Sequence, residues 1–224
     1  IHHNSGNLPL SRFIANRLYL TRNDIRINEV KYLPRDTTDI RLPPAGTFMK
    51  KETPLTQEER ERYARHLALP SFGIEAQCRL KKSSVLCIGA GGLGSPATMY
   101  LAAAGVGRIG IVDPDTVDAS NIQRQVLHGT SDVGRKKTQS ATETLNAINP
   151  NVELDLHEES FNPGNAMALS AGYDLLIDGS DNFPTRYLSN DVAVLQGIPN
   201  VHGSIFRFEG QVSVFAPHLD APCY

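Results

Sequence analysis

The sequence predicts an α/β fold: a Rossmann-like, mostly parallel sheet with helices on both faces that continues into an antiparallel part. Short apolar runs such as "SVLCI" at 84–88 alternate with helical segments, which is typical of parallel strands joined by crossover helices. A glycine-rich loop directly follows this first run. The final run, "GQVSVFA" at 210–216, alternates polar and apolar residues after a glycine and predicts an antiparallel hairpin or edge strand.

The first predicted helix covers 56–69, because Thr56 and Glu59 have the spacing of a capping box, in which each side chain bonds the other's backbone N–H. A second helix is predicted to stop at Gly105 and a third to close at Asn149, before Pro150. The other elements follow from the same alternation: strands within 108–113, 151–157, 173–181 and 198–205, and a helix within 185–197.

Residues 1–53 differ in character from the rest and are interpreted as an N-terminal extension or linker of unassigned role, with a remnant of a small fused domain as the alternative. Residues 54–224 form the predicted nucleotide-binding domain.

Composition excludes several classes of protein. The 224 residues are 40% hydrophobic, which suffices for a sizeable core, and the formal net charge is −2 without a basic block. We therefore expect no nucleic-acid partner and no anionic membrane partner. No apolar stretch is long enough to span a bilayer, and the first residues lack a secretory signal. Three cysteines, an odd number, argue against a disulfide framework and favour a cytoplasmic location.

The glycine loop predicts a nucleotide site. Gly89, Gly91 and Gly94 give G-x-G-x-x-G between a strand and a helix, where backbone can approach a phosphate and the helix N-terminus favours anions. Asp113 ends the next predicted strand and suits ribose hydroxyls. The motif does not specify which nucleotide binds, and a tight turn without a ligand is the alternative.

The residues after Asp113 favour a triphosphate over a hydride carrier. Asn121, Arg124 and Lys137 follow it closely, and these side chains can bond phosphate oxygens. "DGSDN" then brings Asp178 and Asp181 to a strand end. An acid among phosphate-binding cations suggests Mg²⁺, which prefers carboxylate, water and phosphate oxygens.

Three long segments carry a family resemblance: "RYARHLALPSFG", "VLCIGAGGLGSPATMYLAAAGVGRIGIVDPDTVDASNIQRQVLHGTSDVGRKK" and "DGSDNFPTRYLSNDVAV…FEGQVSVF". Over roughly 56–224 the sequence closely resembles the MoeB/ThiF family, bacterial relatives of ubiquitin-activating enzymes, and most of all its molybdopterin-synthase adenylyltransferase branch. The resemblance implies an ATP- and Mg²⁺-dependent adenylyltransferase. Its expected substrate is the C-terminal Gly-Gly carboxylate of a ubiquitin-fold sulfur-carrier protein, activated as an acyl-adenylate with release of pyrophosphate. A homodimer is also implied.

The resemblance also assigns roles residue by residue. It implies that Gly92 lies under the phosphates, that Asp181 is the Mg²⁺-associated acid and that Arg65 reaches into the partner subunit's site. Together with Gly89, Gly91 and Gly94, the implied nucleotide contacts are Asp113, Ser120, Asn121, Ile122, Gln123, Arg124, Lys137 and Asn182.

The C-terminal "APCY" departs from the family pattern. Cys223 matches the start of a C-x-x-C zinc pair, yet one thiolate cannot form a four-ligand zinc site. Either the rest of the chain is missing or this copy has lost the site. We expect a longer protein, in which a second cysteine pair completes a Zn²⁺ site and a substrate-guiding loop follows. Cys87 is expected in the core, Cys78 in a packed linker or helix, and His128 and His202 in structural roles.

Two further functions stay open at this point. An NAD-type oxidoreductase is supported by the glycine loop and Asp113 alone. A scaffold that retains the fold without catalysis is the other; Arg124, Lys137 and Asp181 argue against both.

Overall fold

The computed structural model describes residues 54–224, so the interpretation of residues 1–53 lies outside the described residues. The predicted fold class is confirmed. A six-stranded sheet has the order β3-β2-β1-β4-β5-β6 and is parallel except for the antiparallel pair β5–β6. The strands are β1 (Ser84–Ile88), β2 (Arg108–Val112), β3 (Glu153–His157), β4 (Leu175–Asp178), β5 (Asn200–Phe206) and β6 (Glu209–Phe215).

Helices cover both faces of this sheet. They are α1 (Gln57–Arg62), α2 (Ala64–Leu67), α3 (Gly73–Lys82), α4 (Gly94–Ala104), α5 (Lys137–Ile148), α6 (Ala166–Ser170) and α7 (Phe183–Gln196). Because successive strand residues point to opposite faces, β1 contributes to two cores. Val85 packs in a cluster with Ala102 of α4 and Leu145 of α5. Leu86 packs in a second cluster with Val192 of α7. Among residues 54–224 no helix is long and apolar enough to cross a membrane.

The first predicted helix is present but is divided. Its capping box is confirmed, since the Glu59 N–H donates to Thr56 Oγ1 at 3.2 Å and the Thr56 N–H donates to Glu59 Oε2 at 2.7 Å. The helical pattern breaks at Tyr63, between α1 and α2. Tyr63 is buried, and its hydroxyl accepts a hydrogen bond of 2.8 Å from the Asn149 side chain. The break therefore coincides with a long-range anchor that local sequence does not reveal.

Two helices, α3 and α6, were not assigned from the sequence, although a helix was one of the two alternatives given for Cys78 in α3. In α3 the fully buried residue is Gln77, whose amide donates to the Ala104 carbonyl at 2.8 Å and whose Oε1 lies 2.9 Å from His66 Nδ1. A polar side chain on the buried face weakens the apolar period by which a helix is predicted. α6 has only five residues, too few to show a period.

The strand order indicates where a ligand site is expected. β1 lies between β2 and β4, and the chain after β1 leads towards one edge of the sheet while the chain after β4 leads towards the other. Such a reversal leaves a crevice outside the carboxyl ends of the strands, where open α/β sheets bind ligands.

Candidate functional site

A cavity of about 390 Å³ occupies this crevice. Its walls come from the glycine loop, the ends of β2 and β4, the start of α5 and the segments after Asp118 and Glu158. The lining residues are Ile88, Gly89, Gly91, Gly92, Val112, Asp113, Pro114, Asp115, Arg124, Gln125, Lys137, Ser160, Phe161, Gly179, Ser180, Asp181, Asn182 and Thr185.

The four glycines of the loop serve different purposes. Gly89 has a φ of +94°, a conformation that L side chains rarely adopt, and a Cβ on Gly94 would overlap the Gly89 carbonyl oxygen. The fold itself therefore requires both. A Cβ on Gly91 or Gly92 would meet only side-chain atoms at 3.6 Å or more, which is ordinary contact. The absence of a side chain at these two positions keeps the cavity open.

Asp113 ties the glycine loop to the end of β2. Its Oδ2 accepts the Ala90 N–H at 2.8 Å and its Oδ1 accepts the Asp115 N–H at 2.9 Å. The side chain is buried but lines the cavity. Because a carboxylate oxygen can accept two hydrogen bonds, each oxygen keeps capacity for a ligand hydroxyl.

Lys137 is a buried cation at the start of α5. Its side chain is 6% exposed, and Nζ lies 2.8 Å from Asp115 Oδ2 and 3.8 Å from Asp113 Oδ1. Buried charges need partners, and these carboxylates provide them. Asp115 is largely exposed and lines the cavity, yet the sequence analysis did not single it out. Its position two residues after Asp113 was the available signal.

Arg124 and Gln125 form the wall opposite Gly91 and Gly92. The aliphatic part of Arg124 lies against Gly92, and its Nη1 donates to the Ser120 carbonyl at 3.1 Å. Gln125 is buried, and within residues 54–224 its Oε1 has no hydrogen-bond partner. An unpartnered buried amide oxygen costs free energy, and this oxygen is itself shielded from the cavity. Gln125 was also missed, because only the packing turns it inward.

Residues 120–123, which directly precede Arg124, lie outside the cavity lining. Ala119–Asn121 form a single 3-10 turn, in which Asp118 Oδ1 accepts the Ser120 N–H at 2.7 Å. These hydrogen bonds from Ser120 hold the pKa of Asp118 below its usual value. The Asp118 N–H donates to Asn121 Oδ1 at 3.4 Å. The predicted contacts with no place in the cavity lining are Gly94, Ser120, Asn121, Ile122 and Gln123.

The two acids at the end of β4 have different environments. Asp178 is fully buried, and its oxygens are bonded to Ser180 and His202. Asp181 is exposed and lines the cavity, and its one hydrogen bond to a described residue is long, 3.5 Å from Asn182 Nδ2. Asn182 also lines the cavity and caps α7 by accepting the Thr185 N–H at 3.0 Å. Of the two acids, only Asp181 can contact a ligand.

Comparison with known proteins shows which family has this sequence and fold. A family model described as the ThiF family matches residues 63–224. The chain belongs to the ThiF family.

Curated relatives of this ThiF-family chain include two named adenylyltransferases. It is 58% identical over 174 residues to the probable adenylyltransferase/sulfurtransferase MoeZ of Mycobacterium tuberculosis, an alignment that covers 78% of this chain and 44% of that protein. It is 51% identical over 173 residues to the sulfur carrier protein adenylyltransferase of Thermus thermophilus, covering 75% of this chain and 64% of that protein. The chain thus spans about half the length of these relatives.

A solved structure shares the fold. It is the Escherichia coli tRNA N6-threonylcarbamoyladenosine dehydratase TcdA in complex with ATP, with 26% sequence identity and a TM-score of 0.63. The match covers 69% of this chain and 65% of TcdA.

Two buried side chains, His128 and Cys87, lie next to the glycine loop. The His128 Nδ1 lies 2.9 Å from Ser140 Oγ and its Nε2 lies 3.3 Å from the Ala90 carbonyl in the glycine loop. Burial lowers the pKa of His128, and the charge of Lys137 adds to this effect. The neutral imidazole therefore braces the loop, which fits the expected structural role. Cys87 is in the core as predicted; burial and the nearby Asp113 raise its pKa to about 12, so it stays a thiol.

Two further predicted site residues also lie outside the cavity lining. Arg65 is exposed on α2 and is not a lining residue. Cys223 is exposed, with its Sγ 3.3 Å from Asn190 Nδ2. Within residues 54–224 no group of three or more His, Cys, Asp or Glu side chains could hold a metal ion. The Zn²⁺ site at Cys223 and the action of Arg65 on a partner subunit both stay predictions.

Proposed function

We propose that this chain carries the catalytic domain of an ATP-dependent adenylyltransferase. Its substrate would be the C-terminal Gly-Gly carboxylate of a small ubiquitin-fold sulfur-carrier protein. The products would be the carrier acyl-adenylate and pyrophosphate. Two relatives that are named as adenylyltransferases support the proposal. A solved ATP complex of a protein with the same fold also supports it.

One observation carries the proposal. Lys137, Arg124 and Asp181 line the same cavity as the glycine loop. Two cations match the charge of a polyphosphate, and an acid with free oxygens matches its metal ion. A nicotinamide cofactor would need an open site for hydride transfer, and its diphosphate binds without a metal ion, so it gives the acid Asp181 no role.

Each residue has a proposed role that follows from its surroundings. Asp113 would accept a ribose hydroxyl with the oxygen capacity that its two N–H bonds leave free. The open backbone at Gly92 would let the phosphates approach the start of α4. Arg124 would turn its guanidinium from the Ser120 carbonyl to phosphate oxygens, and Lys137 would share its charge between Asp115 and phosphate. Asn121 and Gln123 would approach the nucleotide only if the 3-10 turn shifted.

The chemistry needs positioning and charge neutralisation. The carrier carboxylate is already ionised, so no general base is required. One carboxylate oxygen forms a bond to the α-phosphorus, the bond from this phosphorus to the bridging oxygen of the β-phosphate breaks, and the electron pair leaves with pyrophosphate. The negative charge that builds up on the phosphates is stabilised by Arg124 and Lys137.

Asp181 fits a Mg²⁺ ion. Its carboxylate is exposed at the cavity and has no close hydrogen bond among the described residues. Mg²⁺ binds through one or two carboxylates together with phosphate oxygens and water, so one acid and no protein cage is the expected donor set. When bound, the ion would neutralise phosphate charge.

ATP–pyrophosphate exchange tests the proposal. The wild-type protein should exchange label only with ATP and a Gly-Gly carrier present. Lys137→Ala should reduce both exchange and ATP affinity, because a charge-assisted contact is worth roughly 1.5–3 kcal/mol. Lys136→Ala is the matched control, since Lys136 bonds the Pro114 carbonyl and does not line the cavity.

The outcomes also separate the other candidate functions. Binding of NAD in preference to ATP would indicate an oxidoreductase. Binding of neither nucleotide would indicate a scaffold. An unchanged ATP affinity and exchange rate in Lys137→Ala would refute the assigned site.

A further inference from the structure

A buried carboxylate–imidazole pair lies directly behind the loop that carries Asp181. Asp178 ends β4, and its register partner in β5 is His202. Their side chains are 0% and 1% exposed, and His202 Nδ1 lies 2.8 Å from Asp178 Oδ2. Because a carboxylate only accepts hydrogen bonds, the imidazole Nδ1 carries the donated proton.

The second oxygen of Asp178 holds the cavity loop. Oδ1 accepts the backbone N–H of Ser180 at 3.0 Å and the Ser180 hydroxyl at 2.6 Å. The Ser180 carbonyl in turn accepts the Arg186 Nε and Nη2 at 3.3 and 3.2 Å. Ser180 lines the cavity and immediately precedes Asp181. Asp178 and Arg186 therefore hold Ser180 from two sides, and Asp178 fixes its N–H and its hydroxyl.

The imidazole has little freedom to turn away. The ring centroid of His202 lies 5.1 Å from that of Tyr224 and 6.0 Å from that of Phe215. Tyr224 is itself held, since its backbone N–H donates to Asn190 Oδ1 at 3.0 Å. Aromatic packing thus fixes the donor that fixes Asp178.

We propose that His202 is a positioning residue: through Asp178 it holds the loop of residues 180–182 in the conformation that presents Asp181 to the nucleotide. The inference rests on the proposed function, because it assigns Asp181 a nucleotide-binding task. Without the imidazole donor, the buried carboxylate loses one of the three hydrogen bonds that it accepts and is driven to rotate or to admit water. Either change releases Ser180 and moves Asp181.

Two substitutions separate hydrogen bonding from packing. His202→Asn keeps an N–H donor near the place of Nδ1 but leaves a larger void than His202→Leu, which has no donor. In nucleotide-free protein, His202→Leu should raise the hydrogen-exchange rate of the Ser180 amide roughly tenfold or more, and His202→Asn should restore most of the protection. If packing alone mattered, the asparagine variant would be the worse of the two. Should His202→Leu fail to fold, His202→Met, which also lacks a donor, replaces it.

A double-mutant cycle tests the link to Asp181. His202→Leu should weaken ATP binding by roughly tenfold in the wild-type background and hardly at all in an Asp181→Asn background, because both changes remove the same contact. Equal losses in both backgrounds, or unchanged exchange at Ser180, would overturn the proposal. A wild-type protein without ATP–pyrophosphate exchange would refute the proposed function, while the amide exchange rates would still decide the role of His202.

Discussion

Lys137 is held in place by the fold and is also the residue to which we assign a phosphate contact. Its ammonium is nearly buried and is held by Asp115 and, at longer range, by Asp113. A phosphate that enters the cavity must share this cation with a carboxylate. We therefore expect Asp115 to influence ATP affinity through its ion pair with Lys137, without contacting the nucleotide itself.

Asp115→Asn should bind ATP more tightly. The substitution removes a negative charge beside the phosphates, and because Asp115 is largely exposed, the gain is reduced by solvent to roughly 1 kcal/mol, or about fivefold in affinity. Calorimetric titration with Mg²⁺·ATP measures it. Asp191→Asn, an exposed acid on α7 away from the cavity, is the charge-matched control. Weaker binding in Asp115→Asn would mean that the carboxylate is needed to hold Lys137 in place.

His128 should make the stability of the protein depend on pH. Its folded pKa lies below the ordinary value of 6.5, chiefly because of burial. Since the unfolded chain then binds the proton more readily, the free energy of unfolding should fall as pH drops below about 6.5 and level off below the folded pKa. Above about 6.5 this residue should have no pH effect.

Urea denaturation at several pH values checks this expectation. In His128→Gln the slope between pH 6.5 and 5 should be shallower than in the wild type, because the carboxylates that also titrate are common to both proteins. Identical slopes would show that His128 is protonated without cost in the folded state.

At the scale of elements, the glycine loop joins β1 to α4 and combines two requirements. Gly89 and Gly94 allow the close approach of strand and helix, as the overlap predicted for a Cβ on Gly94 indicates. Gly91 and Gly92 leave the cavity open without being needed for packing. A substitution at Gly94 should therefore lower the stability of the fold, whereas a substitution at Gly92 should lower ATP affinity.

Gly92→Ala should leave thermal stability almost unchanged and lower ATP affinity about tenfold or more, since its Cβ has room in the empty fold but occupies space proposed for phosphate. Gly94→Ala should cost about 1–3 kcal/mol of stability or prevent folding, because the overlap involves backbone that cannot move away. Thermal melts and ATP titration of both variants provide the comparison. A destabilised Gly92→Ala with normal ATP affinity would contradict this division of roles.

At the scale of the whole molecule, Arg65 is exposed on α2 and does not line the cavity of its own chain. We predict a homodimer in which this arginine completes the site of the partner subunit. Arg65→Ala and Lys137→Ala should each have strongly reduced carrier-dependent exchange when present alone. After subunit exchange, mixed dimers should regain one intact site and therefore activity.

Arg60→Ala, an exposed arginine on α1, is the control that should keep full activity. Subunit exchange has to be demonstrated independently with differently tagged proteins. If the mixed dimers form but stay inactive, Arg65 does not act on the partner's site.

The sequence by itself determined the order and type of most elements, since the periods of 2 and 3.6 and the caps at Thr56 and Gly105 are local signals. It also placed the candidate nucleotide site at the carboxyl ends of the strands, because the glycine loop and Asp113 follow two of these ends. Tertiary structure alone decided which neighbouring side chains enter the cavity. Asp178 turns inward to His202 while Asp181 faces the cavity, and Gln125 turns inward, because strand register and long-range hydrogen bonds set these directions.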